Sequence, residues 1–435
     1  MAEAELTRIL AAASAARRSG RPDEAAKLYR GVIAEVGDHP LALNALGMMA
    51  LGEGRPSEAT GYFSRAIKAD GNSPDLWMNL ATAARSSKDV AAERAALEGA
   101  LSIDQAHFMA LVRMAELLER IGEEEQAAER WQGVLTLAAM IEERSPALEA
   151  MLDHARDSVA REGARFAASI DQGLASSLED LGPGRRRAQA CIDHALGRRA
   201  IYANHCTGLH FPFLPADEFF ARSHFPWLAQ IEAQTSVIRE ELLALLDAGG
   251  AGGAGGAGFR PYVSMKPGTS ENKWTVLDNS LNWGALHLWE DGRRNEDACA
   301  RAPRTAAAVE ALPLCDLPGK TPTVFFSLLR PGTHLPAHTG VSNVRTVVHL
   351  PLIVPDGCAL RVGGEKREWR VGEAFAFDDT IEHEAWNLSD ELRAVLIFDV
   401  WNPHITDAER GLLRRFYEVA ERTGDGERTA LRVRD

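Results

Sequence analysis

"SPDLWMNLATAARSSKDVAAERAALEGALSID", residues 73–104, reads as two helical stretches with a polar break between them. The pattern recurs through the first third of the chain. Gly20, Gly54, Lys88 and Gly122 stand 34 residues apart, as do Glu24, Glu58, Ala92 and Gln126. Val32, Ala66, Ala100 and Val134 keep the same step, followed by Ile33, Ile67, Leu101 and Leu135. A second face repeats as Pro40, Pro74 and Phe108, then Leu46, Leu80 and Met114, then Gly47, Ala81 and Ala115. Small residues recur where two helices would cross closely, and large ones where they would fill the seam. One such unit cannot bury its own apolar stripe, whereas stacked units can.

A 34-residue unit of two antiparallel helices resembles the tetratricopeptide repeat. About three repeats fit between residues 21 and 137, behind a partial helix, giving an N-terminal α-helical solenoid over 1–138. The resemblance implies a concave face for a peptide or partner protein; packing on the rest of the chain or dimerisation is the alternative use. Residues 139–200 continue helical and form a linker. Ser145 before Pro146 reads as an N-cap with proline at the first helical position, and Gly182-Pro183-Gly184 breaks the segment.

The whole chain has 435 residues, 46% of them hydrophobic, which suits two or three domains with real cores. A formal charge of −14 excludes the basic face of a nucleic-acid-binding protein. No apolar run is long enough to span a bilayer, and "MAEAELTRILAAASAARRSG" has an acidic start and no secretory core, so the cytoplasm is the expected compartment. Cys191, Cys206, Cys299, Cys315 and Cys358 are scattered, odd in number and without a CxxC pair, as free, mostly buried thiols in a reducing compartment would be.

Composition changes after residue 200, where a C-terminal domain over 201–435 begins. "AQIEAQTSVIREELLALLD" (229–247) reads as one amphipathic helix, and "AGGAGGAGGAG" (248–258) as a flexible inserted loop. From residue 321 the period becomes that of strands. "TPTVFFSLL", "RTVVHLPLIV", "CALRVG", "REWRVG", "EAFAFDD" and "RAVLIFDVW" are short, rich in Val, Ile, Phe and Trp, and separated by turn residues. With no helix between them they predict a sandwich or barrel. Thr406 as N-cap and Glu409 at the capping-box position open a closing helix.

Two histidines stand at strand ends of this barrel. His338 follows the stiff turn "RPGTHLPAHTG" (330–340), and His383 follows "EAFAFDD". Such a pair suits iron, zinc, copper or nickel. The usual facial triad for ferrous iron adds a carboxylate two residues after the first histidine, where this chain has Gly340. Arg393 opens a strand otherwise destined for the core. A buried guanidinium there needs an anion, its fork matches a carboxylate, and Ser327 could reach the same carboxylate.

The blocks "PGTHLPAHTGVSN", "HLPLIVP", "GEAFAFDDTIEHEAWN" and "LRAVLIFDVWNP", in this order, resemble the aspartyl/asparaginyl β-hydroxylases; the likeness covers about 200–410. It implies a double-stranded β-helix (jelly-roll, cupin-like) oxygenase that uses iron(II), 2-oxoglutarate and dioxygen. It implies His338 and His383 as iron ligands, with His338, His383 and Arg393 catalytic. Ser327 and Arg393 would hold the distal carboxylate of 2-oxoglutarate, with His349 at the proximal end. The family often reads Arg-x-Arg before that histidine. Here Arg345-Thr346-Val347 keeps only the first arginine, so Arg345 is carried as a further co-substrate contact. Around these, His334 reads as structural, and Asp378 and Asp379 as turn residues able to orient an imidazole. Trp386 and Trp401 read as core, Asn343 as fixing the turn, and Trp283, Arg293 and Arg294 as substrate contacts. The implied reaction is hydroxylation of the β-carbon of an aspartyl or asparaginyl residue in a peptide or protein that the repeats could present. The alternatives are a hydroxylase of a lipid A acyl chain or small molecule, and a non-catalytic repeat scaffold with a degenerate barrel.

Overall fold

The computed structural model describes residues 2–248 and 258–422, so most of the glycine–alanine stretch lies outside the described residues. The chain divides into two compact units, 1–192 and 193–435.

The first unit is a stack of helical hairpins. It runs α1 (Glu3–Arg18), α2 (Pro22–Val36), α3 (Pro40–Gly52), α4 (Pro56–Ala69), α5 (Pro74–Ser86), α6 (Val90–Ile103), α7 (Phe108–Arg120) and α8 (Glu124–Ala138). The 34-residue step has a backbone cause. Gly20, Gly54, Lys88 and Gly122 all take positive φ (71°, 58° for Lys88, 73° and 81° for Gly54 and Gly122), ending one helix of each hairpin before the next begins. Small residues pack where helices cross: a Cβ on Gly47 would meet the ring of Phe63, and one on Gly99 the ring of Trp77. Between the hairpins lie buried apolar clusters such as Leu97, Met114, Leu117 and Ala127. The helical stack does not stop at 138. α9 (Pro146–Asp180) opens on Ser145, whose side chain accepts the Leu148 N–H at 3.2 Å. Its Leu152 and Ala155 join Trp131 and Val134 in one cluster. A short turn at Gly182–Gly184 separates it from α10 (Arg185–Ala195).

The second unit starts with α11 (Leu228–Glu232) and α12 (Thr235–Asp247). One helix was expected over 229–247. The break comes at Glu232, whose backbone carbonyl accepts the Thr235 hydroxyl at 2.6 Å and whose carboxylate turns aside to Arg222 and the Ala374 N–H. Then follow β1 (Arg260–Pro261), β2 (Trp283–Glu290), β3 (Arg293–Arg294), α13 (Glu296–Arg301) and α14 (Pro303–Glu310). The remaining strands are β4 (Val324–Leu329), β5 (Thr333–His338), β6 (Arg345–Ile353), β7 (Cys358–Val362), β8 (Glu365–Glu368), β9 (Phe375–Phe377), β10 (His383–Asn387) and β11 (Arg393–Trp401), closed by α15 (Asp407–Arg422). Three differences from the sequence reading matter. The segment 333–338 is a strand rather than a turn. β8 ends before Trp369, which turns inward. β2 and β10 are strands that the apolar pattern did not mark.

The strands form two antiparallel sheets. The larger runs β1-β2-β4-β11-β6-β9, with β3 beside β2; the smaller runs β5-β10-β7-β8. The long strands of the larger sheet are buried on both faces, which is why they read as continuous apolar runs. Along β11, Ala394, Leu396, Phe398 and Val400 pack with Ile238 and Leu242 of α12 and Ala306 of α14. The alternate residues Val395 and Ile397 pack toward Leu335, Leu360 and Ala385 of the smaller sheet. This second face is interrupted by Arg393 and Asp399 on β11, by Arg345 and His349 on β6, and by Ser327 on β4. The same pattern that builds the core therefore gathers these polar groups between the sheets. Thr406 and Glu409 form the expected capping box, the Thr406 N–H donating to the Glu409 carboxylate at 2.8 Å.

The repeat register yields a stability test. Lys88 carries a left-handed backbone that its three counterparts meet with glycine. Lys88→Gly removes a Cβ penalty of about 1 kcal/mol and is expected to raise the unfolding free energy of the first unit by a similar amount in urea titration; a loss of stability contradicts the assignment.

Candidate active site

β10 pairs with β5 on one side and β7 on the other, in a register that sets His383 directly opposite His338. His338 closes β5 and His383 opens β10, so the pair stands at one end of the small sheet. A β-bulge follows His383, a feature that re-aims side chains. The imidazole centroids lie 4.1 Å apart. Each ring is fixed through its Nδ1, which donates to a backbone carbonyl: Pro336 at 2.7 Å for His338, Ile381 at 3.0 Å for His383. A carbonyl only accepts, so each Nε2 keeps its lone pair. Burial pushes the His383 pKa down to about 4 and that of His338 well below its usual value. Trp274 packs its ring edge-on to His338 at 4.9 Å. Two neutral, neighbouring imidazole lone pairs fit a divalent transition metal. Among the described residues no group of three or more His, Cys, Asp or Glu is placed to hold one.

The pair lines a cavity of about 660 Å³ between the sheets. At its deep end lies Arg393, 1% exposed. Its Nη1 donates to Ser327 Oγ at 3.2 Å, its guanidinium sits 4.5 Å over the Trp369 ring, and its Nε is buried without a partner. Burial lowers its pKa to about 10. Among the described residues no carboxylate pairs with it. Ser327 Oγ also accepts from Trp283 Nε1 at 3.2 Å, so both lone pairs are taken and its hydroxyl hydrogen is available to an acceptor. His349 carries the opposite tautomer to the paired histidines. Trp369 Nε1 donates to its Nδ1 at 3.3 Å, which leaves the hydrogen on Nε2. Burial, then Arg393, hold it well below its usual pKa and therefore neutral.

Arg345 lies at the other end. Its Nη1 donates to Asp399 at 2.6 Å and its Nη2 to Asp379 at 2.9 Å. Burial alone would lower its pKa; the two carboxylates outweigh it and raise the value. Asp378 instead accepts from Thr380 and Asn204, at 2.6 and 2.7 Å, and burial lifts its carboxyl to about 6.

The remaining sequence candidates scatter. Trp283 lines the cavity, but Arg293 and Arg294 do not; Arg294 pairs with Glu296 and Glu310. They sit on a two-residue edge strand that faces outward. His334 is on the outer face of β5 beside Glu384, at 2.9 Å. Trp401 is in the core. Trp386 is half-buried on the outer face of β10, under the Lys366 ammonium, because alternation along β10 turns it away. Asn343 clamps Phe211 through both backbone groups, at 2.7 and 2.8 Å. Two contributors went unnoticed in sequence. Trp369 orients His349 and covers Arg393, hidden in a segment read as strand. Asp399 answers Arg345, and its period-two spacing from Arg393 was a usable sign.

Comparison with known proteins finds relatives for two parts of the chain. Residues 232–403 match the family model for aspartyl/asparaginyl beta-hydroxylase, and residues 10–74 and 50–108 match that for tetratricopeptide repeat. The human aspartyl/asparaginyl beta-hydroxylase is 39% identical over 182 residues, 41% of this chain and 22% of that protein. The ornithine lipid ester-linked acyl 2-hydroxylase of Rhizobium tropici is 36% identical over 182 residues, 41% of this chain and 58% of that protein. The chain thus spans about a fifth of one relative and somewhat over half of the other. Among solved structures, the MamA protein aligns with 39% of this chain and 94% of its own at 16% identity and a TM-score of 0.32. No described helix is long and apolar enough to cross a membrane. Residues 232–403 thus resemble the aspartyl/asparaginyl beta-hydroxylases, and they follow tetratricopeptide repeats in the same chain.

Proposed function

We propose that the second unit is an iron(II)- and 2-oxoglutarate-dependent dioxygenase that hydroxylates the β-carbon of aspartyl or asparaginyl residues in a peptide or protein. The observation that carries this reading is Arg393: a buried guanidinium without a carboxylate partner among the described residues, in the same cavity as two neutral imidazoles. An unanswered buried charge is costly, and a dicarboxylate co-substrate answers it. His338 and His383 would hold the iron. Arg393 and Ser327 would bind the distal carboxylate of the oxo acid, and the His349 Nε2–H its proximal end. Arg345, carried from sequence as a further contact, has both Nη groups occupied by Asp379 and Asp399, which favours the other three as the clamp. Bound together, iron and oxo acid would supply oxygen activation: one atom of dioxygen would enter succinate as the oxo acid loses carbon dioxide, and the other would enter a C–H bond. The protein's part is to fix the two imidazoles by their Nδ1 hydrogens, to orient the oxo acid and to keep water out between the sheets.

Gly340 supports a ligand set of two histidines. A Cβ there would collide with the Asp379 carboxylate, which is held by Arg345. The position of the usual third ligand is thus filled by a neighbour's side chain. Gly340→Ala is expected to cost about 1–3 kcal/mol of stability through overpacking, read by urea unfolding; an unchanged midpoint contradicts this packing.

The acyl 2-hydroxylase relative favours one second reading, in which the same chemistry acts on an acyl chain. The primary test is succinate formation from 2-oxoglutarate with iron(II) and ascorbate. Wild type is expected to exceed both His383→Ala and Arg393→Ala by at least about 100-fold. Equal background in all three overturns the enzyme reading. A hydroxylated lipid in the absence of any hydroxylated peptide transfers the reading to the acyl chain.

A further inference from the structure

Three in-facing positions of β6 line the cavity in sequence: His349 at the deep end, Val347 next, and Arg345 at the far end. β11 runs antiparallel beside them, with Asp399 directly opposite Val347. Three arginines line the cavity: Arg260 pairs with Glu290 at 2.6 Å, and the two on β6 and β11, Arg345 and Arg393, differ in kind. Arg393 has no carboxylate among the described residues, while Arg345 has two. All three members of that second group are nearly withdrawn from solvent, with side chains 13%, 9% and 5% exposed for Arg345, Asp379 and Asp399. The group sets two carboxyls against one guanidinium, and burial raises the pKa of both carboxyls. Val347, 7% exposed, puts methyl groups between it and His349. Asp379 Oδ1 is buried and accepts no hydrogen bond.

A substrate carboxylate brought to this end would meet two carboxylates already competing for one guanidinium. It would also leave Asp379 Oδ1 without a donor. A carboxamide brings no charge, and its N–H can donate to that oxygen. We propose that Asp399 and Val347 make this site select the uncharged carboxamide of asparagine over the carboxylate of aspartate as the side chain to be hydroxylated. The proposal rests on the hydroxylase reading above and specifies its substrate. Asp399 acts here as a specificity-determining residue by occupying Arg345.

The test uses the full chain and two peptide libraries, identical except for a fixed central Asn or Asp. Equilibrium binding is measured with manganese and N-oxalylglycine, and gain of one oxygen atom by mass spectrometry with iron(II) and 2-oxoglutarate. Binding of N-oxalylglycine alone reports on the hydroxylase reading separately. If it does not bind, that reading fails; if it binds, the peptide comparison decides this proposal. The Asn library is expected to bind and react at least about tenfold better. Asp399→Asn removes one of the two carboxylates on Arg345, leaving Asp379 as its single counter-charge, while its carboxamide oxygen can still accept the Thr323 N–H, made at 3.0 Å in the wild type. It is expected to bring the Asn-to-Asp ratio to unity or below. Val347→Arg, a second route to an available cation, should move the ratio the same way. An Asp library used as well as the Asn library by wild type, or a ratio that neither variant shifts, overturns the proposal. A merely structural role for Asp399 would lower both libraries together and leave the ratio unchanged.

Discussion

The site depends on one pairing register. β10 lies between β5 and β7, and its hydrogen bonds set His383 against His338. A slip of one residue would turn His383 to the outer face and bring Glu384 inward. The apolar alternation prevents that slip, because Ala385 would lose its place in the core with Leu335 and Leu360. The backbone also fixes the tautomers, since Pro336 and Ile381 offer carbonyls to the two Nδ1 hydrogens. Core packing and donor chemistry are thus one constraint: the register that buries Ala385 also presents two Nε2 lone pairs side by side.

Charge then orders the cavity. Among the described residues Arg393 has no carboxylate partner at one end and Arg345 has two at the other, with apolar Val347 and Ile397 between them. An unpaired buried cation is a standing demand for an anion, whereas a cation between two carboxylates makes none. Under the proposed function this gradient would favour one orientation of the oxo acid, its distal carboxylate at Arg393 and its reacting end toward the histidines. His349, held as an N–H donor by Trp369, would add a neutral contact to that oxo acid. His338, His383 and His349 thereby differ in the nitrogen that carries the hydrogen, decided by what each Nδ1 faces.

Much of this was legible in the chain because it follows from period. The 34-residue step was visible in side chains, and its cause is a left-handed residue at each hairpin end. β6 and β11 were found from continuous Val, Ile, Leu and Phe, and Arg393 stood out as a charge within such a run. The histidine pair and Gly340 stood out from strand-end position and spacing, and the four motif blocks gave the pair its implied metal. What escaped the sequence depended on tertiary partners. β5 contains Pro336 and follows a proline-glycine pair, so local preference pointed to a turn, and only pairing with β10 makes it a strand. β10, "HEAWN", has too few β-branched residues to announce itself. Trp386 was assigned to the core on residue type, yet alternation sends it outward. Arg345 could not be read as neutralised, because Asp379 and Asp399 reach it from 34 and 54 residues away.

The central claim is that two imidazoles and one unpaired guanidinium share a cavity built for a metal and an oxo acid. A crystal structure with manganese and N-oxalylglycine addresses it most directly. The account predicts the ion on Nε2 of both His338 and His383, with the ligand's distal carboxylate on Arg393 and Ser327. An ion bound elsewhere, or an oxo acid held at Arg345 while Arg393 stays unpaired, would contradict it.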